Sequence, residues 1–168
     1  MNNLIITNAV RFIFLIFLQV LLLNNINFLG YINPYLYILF IILYPFNASQ
    51  GLLIFLSFLL GFSIDIFEDS GGINAAACLV IAYIRPFLLR FSFGVSYDYQ
   101  NIKISNTSFG SLFSYVVMMV LVHHFILFLL EIFSFAHLLL LLKKIFFSAI
   151  FTTLLIFLSL ILFKKKRR

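Results

Sequence analysis

Long apolar runs, one after another and divided only by short polar breaks, leave this chain few ways to fold. Residues 4–23, 51–67, 73–91, 109–133 and 138–163 each come close to the roughly 20 residues that an α-helix needs to cross about 30 Å of hydrocarbon. A further run, 35–46, is shorter and is closed by Pro45, Asn47 and Ser49. Its length suits a short span or a re-entrant or tilted segment, unless Phe28 to Ile32 extends it across Gly30, Asn33 and Pro34. Lipid offers no partner to backbone N–H and C=O groups, so such runs must be helical. The expected fold is an all-α integral membrane protein: one helical domain over residues 1–168, about six transmembrane helices and a basic tail over 164–168.

Composition excludes the soluble alternatives. The chain is 64% hydrophobic and 10% charged, against about 45–50% and about 25% in ordinary globular proteins. Its mean hydropathy is +1.19. The net charge of +6 does not point to nucleic acid, because five of the eleven basic residues are the terminal run Lys164, Lys165, Lys166, Arg167 and Arg168. Directly after an apolar span, that run is a cytoplasmic anchor beside anionic lipid. The one cysteine, Cys78, lies in an apolar run and allows no disulfide framework. Arg11 followed by Phe12 to Leu23 imitates a secretory signal, yet Asn24-Asn25-Ile26-Asn27-Phe28 offers no small-residue cleavage pattern. The first run is therefore expected to remain as a helix.

Six crossings put both ends of the chain on one side, and the tail selects the cytoplasm. Arg90, Lys103 and the tail then fall inside, with Arg11 in the inner half of the first helix, while Lys143 and Lys144 face out and snorkel to headgroups. Five crossings would place the N-terminus outside.

The stretch Gly61-Phe62-Ser63-Ile64-Asp65, followed by Ser70-Gly71-Gly72-Ile73-Asn74-Ala75, carries the most information. Ser57, Gly61 and Asp65 recur at four-residue spacing and so share one helix face, which must point into the bundle. Small residues there let a neighbouring backbone approach closely. Gly71 and Gly72 permit a sharp reversal, and the first amides of the next helix, near Ile73 and Asn74, are unpaired donors at the positive end of a helix dipole. Asp65 is expected to accept them as a hairpin lock. The competing reading, a proton or cation relay, follows from any ionisable group in a membrane, but Arg85 lies at another depth.

The same residues resemble the signature of the rod-shape-determining protein MreD family: Gly61, Asp65 four residues on, Gly72, Ile73 and Ala75 opening the next helix, and Tyr83 within it. Chain length, a first span containing Gln19, a short second helix and a basic C-terminus extend the likeness, while the first loop carries fewer charges than that family's pattern. The resemblance implies a bacterial inner-membrane component of the cell-elongation machinery, acting without catalysis beside a bitopic MreC-like protein and, through it, MreB-like and RodA-like proteins. It also implies a fold like the substrate-binding subunits of energy-coupling-factor transporters.

His123, His124, Glu131 and His137 have the residue types of a metal site, but His124 and Glu131 stand about 10.5 Å apart along a helix, too far for two ligands of one ion. Arg85 and Pro86 mark the inner part of the fourth long helix, where Arg90 reaches headgroups. No phosphate loop, nucleophile with a base, or zinc spacing occurs, so neither an enzyme nor a cofactor is expected. Two function classes remain: a scaffold that recruits partner helices and membrane lipid, and a small-molecule-binding or transporter subunit, whose polar cavity would draw on Arg11, Gln19, Arg85, His123 or His124.

Overall fold

A computed structural model describes residues 2–26, 28, 32–46, 48–94, 107–132 and 138–162. Among these residues are six α-helices: α1 (Asn2–Leu21), α2 (Ile38–Leu43), α3 (Gln50–Glu68), α4 (Ile73–Phe93), α5 (Phe109–Ile132) and α6 (Leu138–Leu162). The long ones fall within a few residues of the apolar runs. Five spans, Ile5–Asn25, Gln50–Glu68, Ile73–Phe93, Phe109–Ile132 and Leu138–Leu162, have the length and apolarity to cross a bilayer. The chain is a multi-pass, all-α membrane protein. Its outward surface is built for lipid: Ile5, Val10, Phe17 and Leu21 on α1, Phe87 and Phe91 on α4, and Leu154 and Ile161 on α6 are all more than half exposed.

The second run departs from the expected helix over 35–46. Only Ile38–Leu43 is α-helical, too short to span by itself. Phe28 and Ile32 do not extend it; they pair with each other in an antiparallel bridge. Asn33 and Pro34 before α2 and Pro45 after it explain the interruption, since proline removes a backbone donor and restricts the residue before it. What the segment lacks in length it makes up in burial. Tyr37, Ile38, Ile41 and Ile42 have no exposed surface, and Phe40 is 1% exposed.

The long helices enclose this segment. α4 packs between α3 and α5, α5 packs on α6, and α1 packs on α3. Asn24, Glu68, Ser70 and Glu131 meet around one cavity, so α1, α3 and α5 end at a common face and α4 begins there. From that face residues 34–46 pass through the bundle to the opposite one, where Phe46 packs on Phe93. α6 runs against α5, with Lys144 near Glu131 at one end and Phe157 stacked on Phe109 and Phe113 at the other. The start of α1 and the end of α6 therefore share the face opposite the cavity.

Candidate functional site

The α3–α4 hairpin is where the sequence concentrated its polar groups, and the structure brings them together. Asp69 (φ 53°), Gly71 (φ 67°) and Gly72 (φ 93°) turn the chain through left-handed conformations, which glycine adopts without steric penalty. That reversal lays the start of α4 against Gly61. A Cβ there would stand 2.5 Å from the Asn74 carbonyl oxygen and 2.6 Å from Ala75 N and Cα. Ser57 and Asp65 lie on the same buried face. The unpaired hydroxyl of Ser57 packs without a hydrogen-bond partner among the described residues.

Asp65 acts as a cap across the turn. Its Oδ1 accepts from Asn74 N at 2.9 Å, Asn74 Nδ2 at 3.1 Å and the Ser70 hydroxyl at 2.5 Å, and its Oδ2 accepts from Ala75 N at 2.8 Å. The two amides belong to the first turn of α4, one residue beyond the Ile73–Asn74 pair expected from sequence. Four donors on one carboxylate, two of them otherwise orphaned helix amides, give charge-assisted bonds that hold the hairpin shut.

From this lock a chain of hydrogen bonds runs into the core. Asn74 Nδ2 also donates to Glu68 Oε2 at 2.8 Å and Ser70 Oγ at 3.1 Å, which orients the amide so that Oδ1 faces Tyr37 and accepts its hydroxyl proton at 2.7 Å. The Tyr37 oxygen is then left to accept from His123 Nε2 at 2.9 Å. α3, α4, the second segment and α5 are thereby tied in one directed network. His123 Nδ1 has no partner among the described residues. His124 bonds elsewhere: Nδ1 donates to Val120 O at 2.8 Å, and Nε2 lies 3.2 Å from Thr152 Oγ1.

The interrupted second segment exposes backbone groups, and buried polar side chains meet them one by one. Gln19, fully buried, donates to Pro34 O at 2.9 Å and accepts from Leu36 N at 2.9 Å. Thr152 accepts from Tyr35 N at 3.0 Å. At the far end the Arg85 guanidinium donates to the Tyr44 carbonyl, its Nε donates to Tyr115 Oη at 2.9 Å, and it lies 5.2 Å from the centre of the Phe46 ring. Arg85, 3% exposed, serves as a C-terminal cap for α2. Gln19 and Arg85, two of the residues that a transporter cavity would draw on, here satisfy backbone.

The remaining sequence candidates divide. Tyr83 is 74% exposed and faces away from the bundle, so it does not join the lock. Arg90 sits exposed in the last turn of α4. Lys164, Lys165, Lys166, Arg167, Arg168 and His137 lie outside the described residues. Glu131 pairs with Lys144 at 2.6 Å, and the His123 and His124 contacts above do not converge on it. Among the described residues no group of three His, Cys, Asp or Glu side chains could hold a metal ion. Sequence reasoning missed Tyr37, Tyr115 and Thr152; a hydroxyl recurring within otherwise apolar runs was the available signal.

At the end of the bundle beside the lock lies an open cavity of about 440 Å³. Comparison of the chain with protein-family models, curated proteins and solved structures gives no match.

Proposed function

We propose that this protein is a non-enzymatic scaffold of the bacterial cell-elongation machinery, of the MreD kind, acting by helix packing in the inner membrane. The observation that carries the reading is the convergence of the signature positions. Gly61, Asp65, Gly72 and Ala75, four of the six positions that carry the family likeness, meet in one interlocked hairpin. Asp65 has a structural task there: its two oxygens accept from four donors. The buried Arg85 and Gln19 likewise hold the second segment in place. What the bundle then offers its surroundings is shape: rigid apolar helix faces with which a partner transmembrane segment can pack.

Placement follows the same reading. Both ends of the chain lie in the cytoplasm, with Arg90 and the terminal basic run at the inner surface. Asp65, Glu68, Asp69 and Glu131 then lie at the outer face. The partner is a bitopic MreC-like protein, with MreB-like and RodA-like proteins linked through it. Co-purification from mild detergent with the MreC-like protein encoded in the same cell tests this. Recovery of the pair supports the scaffold, and its loss on widening small lipid-facing positions locates the interface. Failure to recover any membrane partner would reject it. The second reading, a solute-binding subunit of the energy-coupling-factor type, draws support from the interrupted second segment and the polar cavity; co-purification with a transporter ATPase would favour it.

A further inference from the structure

We infer that the cavity at the carboxylate end of the bundle binds an organic ammonium group. Its volume of about 440 Å³ falls in the range of about 300–1,000 Å³ typical of small-molecule sites. Asn24, Asn33, Tyr35, Glu68, Asn74 and Glu131 contribute to its wall.

Three features define the ligand. First, the charge is negative and incompletely balanced. Glu131 is paired with Lys144, whereas no described Lys or Arg lies within ion-pairing distance of Glu68, whose Oε2 takes a neutral amide donor and whose Oε1 has no partner among the described residues. Asp65 stands behind Glu68 and adds to the same field, since both share Asn74. Second, Tyr35 is 7% exposed and lines the cavity, yet its hydroxyl has no hydrogen-bond partner among the described residues. On the cavity wall, that hydroxyl is open to a ligand. Third, Tyr35 and Phe67 bring aromatic rings to the wall, which favour a cation whose charge sits on carbon-bearing nitrogen. A bare metal ion fits this poorly: among the described residues no three His, Cys, Asp or Glu side chains converge, and the space far exceeds an ion. An ammonium with N–H donors matches the Glu68 carboxylate and the Tyr35 oxygen together.

Such a group reaches the cavity either on a soluble amine or on an ethanolamine headgroup of the surrounding lipid. The test uses the full chain in nanodiscs of phosphatidylcholine. Spermidine is titrated by calorimetry, with glutamate as the anionic control; in parallel, thermal stability is compared in discs with and without phosphatidylethanolamine. Saturable spermidine binding, or stabilisation by phosphatidylethanolamine, supports the site and names the source. Either effect should weaken about tenfold in Glu68→Gln, which keeps an acceptor for Asn74 but loses the charge, and should also weaken in Tyr35→Phe. Circular dichroism establishes that both variants are folded. The inference is overturned if neither amine source has an effect, if Glu68→Gln and Tyr35→Phe respond as the wild type does, or if glutamate binds as well as spermidine.

Discussion

Adding one methyl group at Gly61 should open the hairpin. The Cβ of Gly61→Ala would lie 2.5 Å from Asn74 O and 2.6 Å from Ala75 N and Cα, where non-bonded carbon contacts settle near about 3.5–4.0 Å. All three atoms are backbone, so no rotamer change relieves the clash. The start of α4 must retreat by about 1 Å. That carries the Ala75 N to Asp65 Oδ2 bond, now 2.8 Å, out of hydrogen-bonding range. Overpacking contributes about 1–3 kcal/mol and the weakened bond to a charged acceptor about 1.5–3 kcal/mol, for a loss of about 2.5–6 kcal/mol. Ser57→Ala, one turn away on the same face, should behave oppositely: it deletes a buried hydroxyl without a partner and should leave stability within about 1 kcal/mol of wild type or raise it. Reversible unfolding with SDS in mixed micelles, followed by circular dichroism, measures both. Wild-type stability in Gly61→Ala, or equal damage from Ser57→Ala, would refute the close-approach argument.

Asp65→Asn keeps one acceptor oxygen and should be milder than Asp65→Leu, which strands the Asn74 and Ala75 amides at about 1–3 kcal/mol each; loss of function in Asp65→Asn at normal folded levels would instead indicate proton chemistry. Arg85→Met should cost about 1–3 kcal/mol through the Tyr44 carbonyl and Tyr115 hydroxyl it abandons, and its effect should add to that of Asp65→Asn because they share no partner. Lys144→Ala should change stability by less than about 1 kcal/mol, since the pair with Glu131 is partly exposed. Reporter fusions at Asn2 and Arg168 should both give cytoplasmic signals, and a periplasmic signal from either would reject the proposed orientation.

The long helices were legible because each carries a continuous apolar run bounded by polar residues, and a bilayer demands both. The lock was legible because Gly61 and Asp65 fall four apart and the turn advertises itself with two glycines. The second segment was not. Its character depends on Gln19, Arg85, Tyr115 and Thr152, which meet its backbone from four different helices, and no local window contains that information. Tyr37 escaped notice for the same reason: its bonds to Asn74 and His123 span 37 and 86 positions. Tyr83, read from the family likeness as part of the motif, has no local periodicity that would have shown it facing outward.

The interrupted segment also dictates an order of assembly. α1 is apolar around most of its surface and can be released into the bilayer as soon as it is made. Residues 34–46 cannot, because their bare backbone groups have no lipid-compatible state. Gln19, already synthesised, is ready to cover Pro34 and Leu36, whereas Tyr35 N must wait 117 residues for Thr152. Arg85 and Tyr115 arrive between. Until the last helix docks, this stretch has to linger in the insertion machinery or at the water interface, so a nascent chain halted before α6 would present quality-control proteases with an unfinished seam at its centre.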